Sequence, residues 1–131
     1  MADPTKEQDE GVPVLDPAML EAVVEMIGPD EPAAIVDLID TFVDDSSQQI
    51  TVMGVSFRAG DWKTLHRIAH SMKSSSATFG AMRMSALCAQ LESSARDNCA
   101  AGGCGELIEQ IEDEYKRVAI AISVERARFA V

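Results

Sequence analysis

His66 and His70 are the two histidines of this 131-residue chain, four residues apart in HRIAHSMKSSSATFG, residues 66–80. Imidazole titrates near neutrality and, when unprotonated, offers one free ring nitrogen. Three chemistries fit such a pair: a satisfied core histidine, a shared metal ion, or a nucleophile. A metal needs ligands of the right type on one side. No Glu stands between the histidines as in H-E-x-x-H, and the positive Lys73 shares their side of the helix, which argues against a cation. No residue is therefore assigned to a metal.

A nucleophile that accepts a phosphoryl group needs exposure, small neighbours and a cation to offset the incoming charge. His70 has Lys73 one turn on, with Ser74 and Ala77 beside it. The chain shows no Gly-rich phosphate loop, no Ser-His-Asp order and no nucleotide motif. This composition can hold a phosphoryl group but not draw one from ATP, so no ATP-dependent enzyme activity is expected.

The element that carries these residues must turn them outward. At about 100° per residue, Leu65, Ile68, Met72, Ser75, Ser76 and Phe79 fall roughly 120° to 180° from His70. They form the core-facing stripe, with two serines that let a neighbouring helix approach closely. His66, Lys73, Ser74 and Ala77 fall within roughly 60° of His70. Both histidines therefore lie on the face away from the apolar stripe.

The rest of the chain reads as further helices. Residues 1–13 form a polar, flexible arm, and the domain proper spans 14–131. Asp16-Pro17 opens a short helix that Gly28 stops, with Leu20, Val23, Val24 and Ile27 on its inner stripe. Asp30 is the expected cap of a long helix that carries Ile35, Leu38, Ile39, Phe42, Ile50 and Met53 and ends near Ala59-Gly60. Gly54 within it is a candidate bend. Asp61 caps the histidine helix, and Gly80 stops it. A helix over about 81–98 carries Met84, Leu87, Cys88, Leu91 and Ala95, and a last one over about 105–128 carries Leu107, Ile108, Ile111, Tyr115, Val118 and Ile122. No segment alternates with period two. The fold class is all-α: an antiparallel four-helix bundle with a short N-terminal helix.

Composition agrees. Apolar residues make up 47% and aromatics 5%, so small and aliphatic side chains fill the core. No apolar run reaches the roughly 20 residues of a membrane span, and the polar start is not a secretory signal. A cytoplasmic protein is expected, and its three cysteines, Cys88, Cys99 and Cys104, read as free thiols. A Cys99–Cys104 pair is the less favoured alternative. Net charge is −11, from 22 acids and 11 bases, which disfavours nucleic acid and anionic membrane as partners. Yet five of the eleven bases, Arg58, Lys63, Arg67, Lys73 and Arg83, fall in one stretch whose only acid is Asp61. Such a patch suits an acidic or phosphorylated partner; clustering on a solvated helix face is the alternative.

The stretch Ala69-His70-Ser71-Met72-Lys73-Ser74-Ser75-Ser76-Ala77-Thr78-Phe79-Gly80-Ala81, with Leu87-Cys88-Ala89-Gln90-Leu91-Glu92, resembles the histidine-containing phosphotransfer (HPt) domain. The family pattern is roughly A-H-x-L-K-G-S-S-x-x-x-G-A followed by x-L-C-x-x-L-E. The likeness extends loosely over residues 14–128 and implies a four-helix bundle that works as a phosphorelay intermediate. It implies that His70 accepts a phosphoryl group from a receiver-domain aspartate and passes it to another. Lys73 would stabilise the phosphate. Glu92 stands where relatives place a Glu or Gln to orient the histidine; an ordinary solvated acid is the other reading. Partner contact is expected at His66, Arg67, Ser74, Ala77 and Gly80, with His66 a rim residue of no assigned role. Ser74 departs from the family glycine, and its extra hydroxymethyl group would slow transfer, narrow partner choice or bond the phosphate. The implied partners are receiver domains of a hybrid sensor kinase and of response regulators. No cofactor is expected in this chain; magnesium would belong to the receiver's acidic pocket. A monomer is expected, since no helix face leaves an unused apolar stripe. The competing reading is a helical binding module that docks a receiver or kinase without carrying phosphate.

Overall fold

A computed structural model describes residues 13–130 of the protein. The N-terminal arm, apart from Pro13, lies outside the described residues. Five helices follow one another, and no strand occurs among the described residues.

Helix α1, Pro17–Ile27, starts where the Asp16 carboxylate accepts from the Ala18 N–H at 3.0 Å and Pro17 takes the first helical position. Helix α2, Pro32–Ala59, is capped by Glu31 and not by Asp30, with no side-chain hydrogen bond. The ring of Pro32 keeps the residue before it out of helical geometry, so the boundary falls one position later than a capping aspartate would put it. The helix runs unbroken through Gly54, over which the Arg58 guanidinium lies. Helix α3, Trp62–Thr78, begins as expected, with Asp61 accepting from the Thr64 N–H at 3.2 Å. Helix α4 is Met82–Arg96 and α5 is Cys104–Ala127. Helix α4 stops short of residue 98 because Asn98 and Cys99 adopt left-handed φ of 57° and 55°.

Helices α2 to α5 each pack on two neighbours and close a ring, with α3 and α4 sharing the most extensive contact. Its cause is local sequence. Ala69 and Ser76 are fully buried in α3, and small residues let the two backbones draw together. Leu65, Met72, Met84, Leu91, Ile111 and Val118 fill the core, so the apolar stripes read from the periodicity face inward, except that Leu38, assigned to the stripe of α2, is exposed at its edge. Phe42 of α2 stacks on Phe79 with centroids 4.4 Å apart. Tyr115 donates to the Val43 carbonyl at 3.0 Å, and Arg126 grips both carboxylate oxygens of Asp40 at 2.7 and 3.1 Å, tying α5 to α2.

Helix α1 docks through backbone. The Asp16 N–H donates to the Gly80 carbonyl at 2.8 Å. Gly80 has φ +83°, and a Cβ there would lie 2.6 Å from the Asp16 carbonyl oxygen. Only glycine fits, on both counts.

The cysteine reading requires a correction. Cys99 and Cys104 form a disulfide, and only Cys88 is free. The connection between α4 and α5 turns back through Gly102 and Gly103, at φ +81° and +89°, and so brings the two Cα atoms within 6.0 Å, a distance that a disulfide spans. Burial pushes the Cys88 thiol up to about 12, leaving a small apolar packing unit. Among the described residues, no helix is long and apolar enough to cross a membrane.

Candidate functional site

The outward face of α3 meets the outward edge of α4 at one buried carboxylate. Glu92 is 5% exposed. A lone carboxylate at such a depth is costly, and its partners remove most of that cost. His70 Nδ1 lies 3.0 Å from its Oε1, and Lys73 Nζ lies 2.8 Å from its Oε2. Arg96, one turn along α4, reaches Oε1 at 3.4 Å. The Lys73 ammonium and the His70 ring hold the Glu92 pKa down to about 2 against the opposing effect of burial, so the acid is ionised at neutral pH.

An ionised carboxylate can only accept. Nδ1 of His70 is therefore the donor, and in the neutral ring this tautomer leaves Nε2 with its lone pair. The His70 side chain is 62% exposed. The site thus presents a free imidazole nitrogen to solvent on a ring whose other nitrogen is fixed from below.

Lys73 is held by a second contact. The buried Ser85 hydroxyl donates to the Lys73 carbonyl at 2.8 Å and ties this turn of α3 to α4. The Lys73 side chain remains 36% exposed. Ser74 is exposed beside it, its carbonyl accepting from Thr78, and Ala77 is half-buried.

The two histidines part here. Their rings lie nearly parallel, 9° between planes and 6.4 Å between centroids. His66 is the less exposed at 35%, and its Nε2 is buried without a hydrogen-bond partner, 4.0 Å from Glu92 Oε1. His66 also lines a groove of about 320 Å³ with Trp62, Lys63, Ala95, Arg96 and Asn98. Among the described residues no group of three His, Cys, Asp or Glu is placed to hold a metal ion.

Of the expected surface residues, Arg67 is exposed on α3. Gly80 is elsewhere: it is buried against the Asp16 backbone and serves the fold, so it offers no contact surface. The basic stretch is not one uniform patch either. Lys73 turns to Glu92, Arg83 reaches a second buried acid, Glu114, at 3.7 Å, and Arg58 covers Gly54. Lys63 and Arg67 remain outward. Arg96 and Ser85 join the site without having been singled out from sequence. Arg96 carried a signal, a Glu four residues ahead of an Arg on one helix. Ser85 carried a fainter one, a small polar residue next to the apolar stripe of α4.

The Hpt domain family model matches residues 37–121. The crystal structure of histidine-containing phosphotransfer protein B from Pseudomonas aeruginosa PAO1 is similar over 91% of this chain and 99% of that one, with 35% identity and a TM-score of 0.81. No curated protein sequence gives a significant match.

Proposed function

Because this chain belongs to the Hpt domain family, whose members carry phosphoryl groups in phosphorelays and interact with receiver domains, we propose that His70 is its phosphoacceptor. In this reading His70 takes the group from the aspartyl phosphate of a hybrid kinase's receiver. It then delivers the group to the aspartate of a response-regulator receiver. The observation that carries the reading is the 3.0 Å contact between His70 Nδ1 and a buried, ionised Glu92, made by a ring that is 62% exposed.

The bond changes follow from that tautomer. The Nε2 lone pair forms the P–N bond while the P–O bond to the donor aspartate breaks, its electron pair returning to the carboxylate oxygen. The proton stays on Nδ1, so the phosphorylated ring is positively charged. Glu92 beneath it offsets that charge. A ring that keeps this proton is also a good leaving group, which suits onward transfer by the reverse steps. Lys73 supplies a mobile ammonium within reach of the phosphoryl oxygens. Lys63 and Arg67 extend positive charge outward toward the acidic pocket of a receiver. Ser74, at the place of the family glycine, narrows the approach. No cofactor of this chain enters these steps; magnesium belongs to the receiver.

The test is direct. Incubation with a phosphorylated receiver is expected to give acid-labile, base-stable label on the wild-type protein and none on His70→Gln. Equal labelling of the two would remove the reading. Docking of an intact receiver with no label on either protein would favour a binding module that carries no phosphate.

A further inference from the structure

The Glu92 carboxylate has more claimants than the phosphoacceptor role uses. His66 Nε2 is buried, has no hydrogen-bond partner and stands 4.0 Å from Oε1. Buried polar nitrogens almost always have a partner, and one without deserves a reason. The ring also lies nearly parallel to that of His70 at 6.4 Å and lines the groove with Trp62 and Arg96, so it is not locked in by packing on every side. The step that would close the pair is short, from 4.0 Å to hydrogen-bond range.

We propose that His66 is a positioning residue held in reserve for Glu92. This rests on the carrier reading above. When the Lys73 ammonium is drawn outward by phosphoryl oxygens, the 2.8 Å pair with Oε2 loosens. A carboxylate that is 5% exposed cannot recruit bulk water to replace it. The His66 Nε2–H, about 1 Å beyond hydrogen-bond range of Oε1, closes onto that oxygen as donor and so holds the carboxylate from its other end. Glu92 then keeps its place under His70 Nδ1 through the transfer. A neutral ring in the Nε2–H tautomer is sufficient, so no change of charge is required. Arg96, already at 3.4 Å from Oε1 but 67% exposed, holds the acid less firmly because water competes for its guanidinium.

Two measurements test this separately from the carrier reading. The first needs no phosphate. Lys73→Met removes the ammonium outright, and the ¹⁵N resonances of His66 are read in the unphosphorylated protein. Nε2 is expected to move to the protonated, hydrogen-bonded position in Lys73→Met. Unchanged His66 nitrogens there overturn the proposal, whatever the kinetics. The second compares His66→Phe, which keeps a flat ring but no donor, with His66→Gln, which restores an N–H donor. Transfer through His70 should slow roughly tenfold in the Phe variant and recover in the Gln variant. Equal rates in wild type, Phe and Gln would also overturn it. If wild type itself takes no label, the carrier reading falls, and the resonance measurement alone decides the role of His66.

Discussion

Helix α4 and helix α5 each bury one glutamate, Glu92 at 5% and Glu114 at 3% exposure. The two are alike in depth and in having basic partners, yet those partners differ in kind. Glu114 is gripped by Arg117 at 3.0 Å and faces Arg83 at 3.7 Å. Guanidinium groups do not lose their charge, and Arg83 of α4 reaches across to this acid of α5, so the cluster links the two helices. Glu92 is held by a lysine and a histidine, with an exposed arginine at longer range. An ammonium is a point charge on a flexible stem, and an imidazole can exchange what its second nitrogen binds. The two acids are equally deep and differ in their partners: those of Glu92 are of a kind that can let go.

Removing each acid should therefore have different consequences. Glu92→Ala is expected to lower phosphotransfer roughly 10- to 100-fold, read as the rate of label exchange with a phosphorylated receiver. Glu114→Ala is expected to leave transfer nearly intact but to lower stability by about 2 kcal/mol, read by urea unfolding. That figure sits below the usual cost of breaking a buried pair because both arginines reach solvent and can turn to water. If Glu114→Ala stops transfer as Glu92→Ala does, the contrast between the clusters fails.

Acid unfolding sharpens the same contrast. The folded-state pKa of Glu92 is depressed from 4.5 to about 2. The unfolded state thus binds the proton more tightly. Stability from this acid is full above pH ~4.5 and drains away as pH falls toward ~2. Glu92→Gln cannot take up that proton, so its stability curve should be flatter than wild type across this window. Equal slopes would mean that Glu92 is not tied to its partners in solution. The smallest effect belongs to Ser74→Gly, which removes one exposed hydroxymethyl group and is expected to raise transfer by no more than about threefold. A fall in rate would mean that the Ser74 hydroxyl contacts the phosphoryl group and does not merely crowd it.

Much of this was legible beforehand, for reasons that differ by residue. Helical period exposed the stripes that fill the core, and Asp16 and Asp61 cap as their types dictate. Asp30 failed because Pro32 moved the boundary, a local conflict between two signals. The Cys99–Cys104 bridge was disfavoured by a rule about cell compartments, whereas the glycine turn that joins the two is a matter of backbone geometry. The wheel placed His66 and His70 on one face but could not separate them. That separation depends on Glu92 rising between them from another helix. The Ser85 bond to the Lys73 carbonyl was equally out of reach, since it depends on how closely α3 and α4 approach.

The Asp16–Gly80 contact makes the start of the bundle depend on its middle. As the protein emerges from the ribosome, α1 is complete long before its backbone acceptor exists. Leu20, Val23 and Val24, buried in the finished molecule, must wait without that anchor while α2 and α3 are synthesised. The backbone anchor of α1 can form only after the turn that follows the histidine helix has formed. That anchor sits in the turn that links α3 to α4, the pair of helices that brings Glu92 under His70.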